Sequence, residues 1–502
     1  MSRLNRRELL AVLTVFLTGG THPEYVTMAD LQSGIEQGVV AQLHVAPDRG
    51  SLPTPDERPA AALTNEGLYV FTEPVGQWIP FGYGTDEQPI GSGYFENLTA
   101  RSMNGTVFAS ENVPMLPSIQ TAVDGLTSDT DRDICIVGGE NILSSPIDIP
   151  DADGGVSARP ASIATVGDSY LTQADGANLD TIVRTTGGTA NLDVTIDGNR
   201  GNNDTDVVGV TWANEQGGSA VRAELYDCEV GVQVLGNTET SQFDIYVNAC
   251  GVGVEDRMLD GATPDENRIF LRGHTNDGPY YRKLDPGIST DLWLNVETCP
   301  GNAVEHRATG NLIVRGIIRS AGGHGIFVSE GDVVVTGTSV ISGDGAGVVF
   351  DGGRGRVDAF SCNNTQYGVV VGATRRSNRV KILSPTIINV EECAVDIRRG
   401  RGNSLVDPQN VEAGENTGDA IRVGTQNPAS AYIEIDRTHA DKTIRVGDDA
   451  DVELKWVGQL DGEVRGEMPA QFEGMWGYDS DVGSLVVHDG DGWTTLDGQS
   501  GN

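Results

Sequence analysis

The feature that most constrains the fold is a short phrase that recurs along the chain. The sequence reads GHGIFVSEG at 323–331, GAGVVFDGG at 345–353 and QYGVVVGAT at 366–374. Each phrase has a small residue, here called the marker, before a short apolar run. Repeats of 20 to 50 residues indicate a stacked architecture in which each unit contacts its neighbours. The markers recur at intervals of 21 to 26 residues, at Gly209, Gly231, Gly253, Gly278, Ala303, Gly325, Gly347, Gly368, Ala394, Ala420 and Thr443.

The residues after each marker alternate in character. In the repeat of Gly347, for example, Val348 and Phe350 occupy the first and third positions, which are mostly apolar across the repeats, whereas the second position varies. This period of two is typical of a strand with one buried face. The pattern predicts an all-β fold, a right-handed parallel β-helix with about three short strands per coil and coils about 4.8 Å apart.

The charge is strongly acidic. The 502 residues include 72 Asp and Glu against 34 Lys and Arg, and four of the basic residues are lysines. Such chains are typical of proteins that work in molar salt, where the Debye length falls to about 3 Å and screens self-repulsion. An acidic surface protein of ordinary salt is the alternative. A formal charge of −38 argues against nucleic acid as a partner.

The six cysteines show no CxxC spacing, so no zinc or redox motif is visible. Cys228 and Cys250 each precede a marker by three residues, and Cys299 precedes its marker by four. We therefore expect stacked, buried small residues, with a Cys228–Cys250 disulfide as the alternative.

The N-terminus reads LNRRELLAVLTVFLTGG at 4–20, which is similar to a twin-arginine export signal. The apolar run is short, and neither an A-x-A cleavage site nor a lipid-accepting cysteine follows it. We expect an amphipathic helix here and a second at about 28–38, with a cleaved signal as the alternative. No run reaches 18 apolar residues, so the sequence predicts no membrane span.

The region before the clear repeats carries a resemblance. SIQTAVDGL at 118–126 reads as a short capping helix, and DICIVGGENILSSPIDIP at 133–150 and ATVGD at 164–168 follow it. Together they resemble the opening of pectate-lyase-like β-helices of viral tail spikes and secreted carbohydrate enzymes. The resemblance covers about 113–455 and implies a fold more than a chemistry, since one fold hosts many functions.

The flanks carry a second resemblance. EGLYVFTEPVGQWI at 66–79 and EGMWGYDSDVGSLVVHDGDGWTT at 473–495 both run glycine, aromatic, short strand, turn, glycine, tryptophan. They resemble small β-modules in the tail fibres of tailed viruses, although two unrelated hairpins are the alternative. The predicted organisation is a helical attachment segment with a Pro-rich linker, a β-module with a neck, the β-helix and a C-terminal β-module, at 1–59, 60–112, 113–464 and 465–502.

The outward second positions include two glutamates that are candidates for chemistry. Glu255, Tyr280 and Glu305 are consecutive in this column. Outward groups two coils apart lie about 9–10 Å from each other, at the edge of the range for inverting glycosidases. Glu255 and Glu305 are therefore the candidate catalytic pair, with solvated surface glutamates as the alternative.

Aromatic and charged residues surround these glutamates in the longer repeats, and aromatic faces with polar groups suit sugar rings. The candidate residues for binding a glycan or receptor are Arg257, Asp265, Tyr280, Tyr281, Arg282, Trp293 and His306. The oxygen-rich stretch DGNRGNNDTD at 197–206 could hold Ca²⁺, but it lacks the closing glutamate of an EF-hand, so we favour a solvated turn. The sequence predicts no metal site and no cofactor.

An apolar stripe also falls at outward positions. Phe327, Val349 and Val370 occupy the second position in three consecutive repeats. Such a stripe in so acidic a chain indicates contact with a neighbouring chain or a covering loop. Three chains around one axis would also protect open strand edges, so we predict a homotrimer with this stripe near the threefold axis.

Two hypotheses for the function follow. The first is a tail spike or fibre of a haloarchaeal tailed virus, located in the virion tail, that binds a host surface glycan or glycoprotein. Its N-terminal segment would join other tail or baseplate proteins. The second is a secreted halophilic polysaccharide lyase or glycoside hydrolase, and the NRRELL stretch at 5–10 keeps this alternative open.

Overall fold

The chain divides into two units in the computed structural model, one of residues 1–103 with 113–116 and one of residues 104–112 with 117–502. The predicted N-terminal helices and Asp265 lie outside the described residues. No helix in the described part of the chain is long and apolar enough to cross a bilayer. The structure describes residues 42–45, 60–64, 67–72, 77–81, 106–112, 116–128, 134–149, 161–185, 190–213, 220–235, 241–257, 267–285, 289–408, 410–435, 443–456, 475–479, 481, 484–489 and 492–495.

The described part of the first unit is a four-stranded sheet. Its first two strands pair in parallel, and the next two pairings are antiparallel. The strands are β1 (Gln42–Val45), β2 (Ala60–Thr64), β3 (Gly67–Thr72) and β4 (Gln77–Phe81).

The second unit is a right-handed parallel β-solenoid, which confirms the predicted fold class. Its first coils have three short strands each. The strands here are β5 (Thr106–Ala109), β6 (Ile134–Val137), β7 (Glu140–Leu143), β8 (Ile147–Ile149), β9 (Ala161–Thr165), β10 (Tyr170–Gln173) and β11 (Thr181–Thr185).

A single described α-helix, α1 (Ile119–Ser128), packs at the start of the solenoid. Ser118 caps it, because its Oγ accepts a hydrogen bond from the backbone N–H of Thr121. Ile119 and Val123 belong to the solenoid core. The helix predicted at 118–126 is therefore present, and it covers the apolar end of the first coils.

Each middle coil has two strands, a long one and a short one, where the first coils have three short strands. The strands are β12 (Ala190–Asp197), β13 (Val208–Ala213), β14 (Ala220–Tyr226), β15 (Val230–Leu235), β16 (Gln242–Asn248), β17 (Val252–Arg257), β18 (Asn267–Thr275), β19 (Tyr281–Lys283), β20 (Thr290–Thr298), β21 (Val304–His306), β22 (Asn311–Ala321) and β23 (Ile326–Val328).

The later coils again have three strand segments each. The long strand β24, for example, pairs with β25 through its first part and with β26 through the rest. The strands are β24 (Asp332–Phe350), β25 (Arg354–Asp358), β26 (Ser361–Val371), β27 (Val380–Leu383), β28 (Thr386–Ile397), β29 (Gly400–Val406), β30 (Asn410–Val411), β31 (Asp419–Val423), β32 (Ala429–Ile435), β33 (Thr443–Val446) and β34 (Asp451–Trp456). An antiparallel meander follows, with β35 (Trp476–Asp479), β36 (Ser484–His488) and β37 (Trp493–Thr495).

The repeat found in the sequence forms one continuous parallel ladder, the marker ladder. It consists of β13, β15, β17, β19, β21 and β23, the last segments of β24, β26 and β28, and then β31 and β33. Two upstream strands, β8 and β11, extend it. The first and third positions after the marker point into the core, as Val348 and Phe350 do with no exposed surface.

The small size of the markers has a steric cause. A Cβ on Gly231 would lie 2.6 Å from the carbonyl oxygen of Gly253 on the next coil, and a Cβ on Gly253 would lie 2.5 Å from that of Tyr280. These contacts are shorter than a Cβ normally makes, so the backbones of neighbouring coils approach most closely at the marker.

One marker was assigned wrongly from the sequence. Tyr281 pairs with Val254 and with Val304, so Tyr280 rather than Gly278 is the marker of that coil. Tyr280 tolerates this crowded position because its ring lies over Gly273, where a Cβ would be 2.3 Å from the ring. The outward residue of the coil is therefore Arg282, and Tyr280 is not in the outward column.

All six cysteines are buried and free. Burial raises the pKa of Cys299 to about 11, as expected for a thiol inside an apolar core. The cysteines therefore pack as small apolar residues, and the alternative Cys228–Cys250 disulfide is not formed.

The apolar stripe lies outside the core but is not exposed. Val349 and Val370 are 2% and 3% exposed, and they form a separate small cluster with Ala346, against which Phe327 and Tyr367 pack. Two alternatives were open for this stripe, contact with a neighbouring chain or cover from the same chain, and the structure shows side chains of the same chain packed against it. The homotrimer remains a prediction without support from this feature.

Candidate functional site

A broad solvent-facing surface of the solenoid is the sheet formed by the long strands β12, β14, β16, β18, β20 and β22. These strands pair in parallel and in register over most of their length. Alternate residues point to solvent, as the burial of β18 shows, where every second residue is buried. Because the strands are seven to eleven residues long, the sheet presents four outward columns rather than the one or two of the short strands.

Four aromatic side chains stand on this sheet, and we call them the aromatic platform. Phe270 and Trp293 are neighbours on β18 and β20, with stacked rings whose centroids are 6.0 Å apart. They are 36% and 43% exposed. Tyr226 on β14 and Tyr246 on β16 form a second, half-buried pair, with ring centroids 5.9 Å apart, on the two coils that precede β18. The exposed rings of Phe270 and Trp293 on adjacent strands form a rigid apolar surface, since an aromatic side chain has few rotamers to lose on binding.

Arginine side chains border the platform. The guanidinium of Arg315 lies over the Trp293 ring, 5.0 Å from its centroid, and also pairs with Asp291. Arg272 donates to Asp244 at 2.8 Å, and Arg319 donates to Asn295 at 3.0 Å. The platform is thus surrounded by fixed polar groups, an arrangement that suits a sugar ring, which needs both a stacking face and hydrogen bonds.

The sequence analysis assigned one residue of this surface, Trp293, and missed the others. The marker repeat identifies the short strands, whereas the platform lies on the long ones. The available signal was the alternation within NRIFLRGHT at 267–275 and TDLWLNVET at 290–298, where apolar residues alternate with charged or aromatic ones. An aromatic residue at an outward position of such a strand is exposed by its register.

The candidate catalytic residue Glu255 is 1% exposed and fully engaged. It accepts hydrogen bonds from Arg282 Nε at 3.0 Å and Gln233 Nε2 at 3.1 Å, and it pairs with Arg257. Burial acts to raise its pKa, but the hydrogen bonds from these three side chains outweigh burial and hold the pKa below its ordinary value. A general acid needs the opposite shift, so Glu255 is suited to hold the two arginines in place.

The second candidate, Glu305, is also paired. It accepts from Arg307 at 2.9 Å and from Asn302 at 2.9 Å, and it is 8% exposed. It lies two coils from Glu255, as predicted, but Arg282 rather than Tyr280 stands between them. The outward column is therefore an alternating ladder of acids and arginine in this part of the solenoid, with its charges satisfied internally.

Three residues predicted to contact a glycan lie in the interior instead. Tyr280, Tyr281 and His306 have no exposed surface. The Tyr280 hydroxyl donates to the carbonyl of Thr298 at 3.0 Å, and that of Tyr281 donates to Asp256 at 2.9 Å. Tyr281 and His306 lie at inward positions of their strands, and the marker shift moves Tyr280 from the outward column to the marker position, where its ring is buried over Gly273. Arg257 and Arg282 remain partly exposed, although both are paired with Glu255.

The register also places three ionisable residues on top of one another inside the core. Asp256, Lys283 and His306 occupy the third position after the marker in consecutive coils, where the other coils have apolar residues. Lys283 Nζ lies 2.8 Å from Asp256 Oδ2, which also accepts from the hydroxyls of Tyr281 and Thr290. We call these three residues the buried polar ladder. A buried ion pair needs such added hydrogen bonds to offset its desolvation.

His306 is expected to make the solenoid sensitive to acid. Burial, together with the positive charge of Lys283, lowers the pKa of His306 from 6.5 to about 4. The unfolded chain therefore binds a proton more readily than the folded one between these values. The stability contributed by neutral His306 is complete above about pH 6.5 and is lost as the pH falls toward 4, by about 3 kcal/mol in total.

Urea unfolding between pH 7 and 4.5 measures this effect, with His306→Gln as the variant that cannot titrate. Carboxylates also titrate in this range, so the difference between the two proteins isolates the histidine. We expect the wild type to lose more stability than His306→Gln as the pH falls. Parallel pH profiles for the two proteins would contradict a buried neutral His306.

The oxygen-rich stretch at 197–206 forms a hydrogen-bonded turn around Arg200. The arginine pairs with Glu229 at 3.2 Å, with Asp227 at 3.6 Å and with Asp277. Asp197 accepts from the backbone N–H of Asn199 at 2.9 Å. The carboxylates around this turn therefore neutralise an arginine, which ties together three coils.

Solved structures of other proteins show remote similarity to the chain. Tailspike protein 3 of bacteriophage CBA120 is 11% identical over 94% of this chain and 88% of its own, with a TM-score of 0.41. The catalytic domain of a GH87 α-1,3-glucanase in complex with tetrasaccharides is 9% identical, over 70% and 69%, with a TM-score of 0.34. ORF18 of Geobacillus virus E2 is 10% identical, over 83% and 74%, with a TM-score of 0.28.

No protein family and no curated protein matches the sequence. At these identities and TM-scores the solved structures assign no function to the chain. The functional conclusion therefore rests on the geometry of the surface itself.

Proposed function

We propose that this protein is a virion tail spike or fibre that binds a glycan or glycoprotein of the host surface. The observation that carries the proposal is the exposed, stacked pair Phe270 and Trp293 on the parallel sheet of long strands. The platform is held by continuous parallel strands, so little conformational freedom is lost when a ligand binds. Polar side chains around the rings supply the directional contacts that a sugar needs.

The remaining parts of the proposal follow from the sequence. The N-terminal segment would attach the chain to other tail or baseplate proteins, and the flanking β-modules would help chains associate, in a homotrimer. The acidic, lysine-poor composition favours a host that lives in high salt, such as a haloarchaeon. Finding this chain in purified virions would test the location directly.

The alternative is a secreted polysaccharide lyase or glycoside hydrolase. It requires a carboxyl group that is free to donate or accept a proton at the sugar. Glu255 and Glu305 are instead held by arginines, and Asp244 and Asp291 on the platform sheet are paired with Arg272 and Arg315. Binding without cleavage is therefore the better supported activity.

Truncating the platform tests the proposed function. We expect Trp293→Ala to weaken binding to the recognised glycan on an array of microbial surface polysaccharides by about tenfold or more, because a central aromatic contact contributes more than about 1 kcal/mol. The matched control is Tyr478→Ala, which removes a 56% exposed aromatic from the C-terminal meander. Circular dichroism verifies that both variants keep the solenoid.

The proposal predicts weaker glycan binding for one variant and unchanged binding for the other. Tyr478→Ala should bind the array as the wild type does. Equal binding by Trp293→Ala and the wild type would overturn the platform as the binding surface.

A further inference from the structure

We propose that Lys283 and Asp256 form an isopeptide bond inside the solenoid, a covalent amide link between two neighbouring coils. The bond is independent of the aromatic platform and of any glycan. Its starting point is the ion pair of the buried polar ladder, in which an amine and a carboxyl group lie in contact within a mostly apolar core. Freshly folded protein contains the ion pair, and the bond forms slowly within it.

The two side chains are placed for reaction. Asp256 and Lys283 are register partners on β17 and β19, so no strand has to shift when the bond forms. Lys283 Nζ lies 2.8 Å from Asp256 Oδ2. Because a carbon–oxygen bond of this kind is about 1.2 Å long, the nitrogen lies within about 4 Å of the carboxyl carbon. This separation is close to the value of about 3–3.5 Å at which bound groups are poised to react.

The surroundings favour the neutral forms that react. The side chains of Lys283 and Asp256 are 1% and 5% exposed, and isolated charges are costly in such a site. Transfer of one proton from the ammonium group to the carboxylate oxygen Oδ1 gives an amine and a carboxylic acid, with no change in total charge. Exclusion of water also protects the product amide from hydrolysis.

Two hydroxyl groups are directed at the oxygen on which negative charge develops. Tyr281 and Thr290 donate to Asp256 Oδ2 at 2.9 Å and 3.2 Å. When the Lys283 amine attacks the carboxyl carbon, the N–C bond forms and an electron pair moves onto Oδ2. Donors that are already fixed at this oxygen stabilise the intermediate in the manner of an oxyanion hole.

His306 is placed to carry the proton. Its ring is buried, and neither ring nitrogen makes a hydrogen bond of ordinary geometry with a described residue, although the backbone at Gly310 is near. Burial lowers the pKa of the ring, and the charges of Lys283 and Asp256 act on this pKa in opposite directions, so the ring lies near both reacting groups. The neutral imidazole accepts a proton from the attacking nitrogen and returns it to Oδ1. The C–Oδ1 bond then breaks, the carbonyl re-forms and one water molecule leaves.

The bond would also change the stability of the protein. A link between residues that are 27 positions apart restricts the unfolded chain and so favours the folded one. Unfolding experiments on the ion pair itself therefore require freshly prepared protein, whose intact mass shows no loss of water.

Intact mass spectrometry of the full chain tests the proposal. The wild type, kept at neutral pH in molar KCl for a week, should become lighter by the mass of one water molecule. Tandem mass spectrometry after trypsin digestion should place this loss on a branched peptide that joins the segment of Asp256 to the segment of Lys283. An unchanged mass would overturn the proposal, and so would a loss confined to one linear peptide, as a succinimide at an Asp-Gly sequence gives.

Variants distinguish the covalent link from a lasting ion pair. Lys283→Arg keeps a cation but removes the amine, so its mass should stay constant, and the same loss of water in this variant would overturn the assignment to Lys283. If this variant does not fold, the branched peptide of the wild type still decides the proposal. His306→Gln should lose water at least about tenfold more slowly than the wild type, because a glutamine amide does not carry protons. Loss of water at the wild-type rate would overturn the role of His306.

Discussion

Replacing Lys283 with methionine is expected to destabilise the solenoid by about 3–5 kcal/mol. The substitution preserves the apolar length of the side chain but removes the cation that faces Asp256 at 2.8 Å. Asp256 is 3% exposed and would keep only neutral donors, the hydroxyls of Tyr281 and Thr290, among the contacts described above. Two neutral hydroxyl donors do not replace the hydration that a carboxylate loses in the core when its cation is removed. Equilibrium urea unfolding in molar salt, followed by circular dichroism, measures the change.

The double variant Asp256→Leu with Lys283→Met provides the decisive comparison. Removing both charges replaces a buried ion pair with apolar groups, so we expect most of the lost stability to return. Arg354→Met is the surface control, since Arg354 and Asp332 form an exposed pair on the same solenoid, and its unfolding midpoint should not change measurably. A stable Lys283→Met protein, or a double variant weaker than the single one, would show that the two side chains do not meet in the core.

Replacing Val348 with aspartate is expected to prevent formation of the solenoid. Val348 has no exposed surface and stacks between Ile326 and Val369 of the neighbouring coils. An unpaired carboxylate there would cost several kcal/mol, a large fraction of the stability of a typical domain. Soluble expression and the far-ultraviolet circular dichroism spectrum in molar salt report the outcome.

The adjacent residue provides a graded comparison. Val349 belongs to the smaller cluster outside the core, so Val349→Asp should fold but lose about 2–3 kcal/mol. Ile341→Asp, at a 36% exposed position of the same strand, should be close to neutral. The loss of stability should be largest for Val348→Asp, smaller for Val349→Asp and smallest for Ile341→Asp. Any other order would mean that the residues are assigned to the wrong faces of the strand.

The sequence predicted the features that depend on local periodicity. The spacing of the markers and the alternation after them determine a parallel ladder, because each coil must bury the same two positions against the next. The capping helix was also visible, since its apolar residues recur at helical spacing before the first coil. The sheet of long strands from β12 to β22 was equally encoded by alternation in its strands, although only Trp293 was recognised there.

The tertiary structure decided what depends on contacts between distant residues. In one coil the sequence allows either Gly278 or Tyr280 at the marker position. Tyr280 occupies it, because its ring fits in the space over Gly273. That shift of two residues removes Tyr280 from the outward column, places Lys283 at the third position beside Asp256 and brings Arg282 to Glu255. Side chains at other positions and on other coils likewise cover the Val349 stripe. They also pair with Glu255 and Glu305. The sequence by itself determined which strands stack, and packing between coils determined which side chains remain free to meet a ligand.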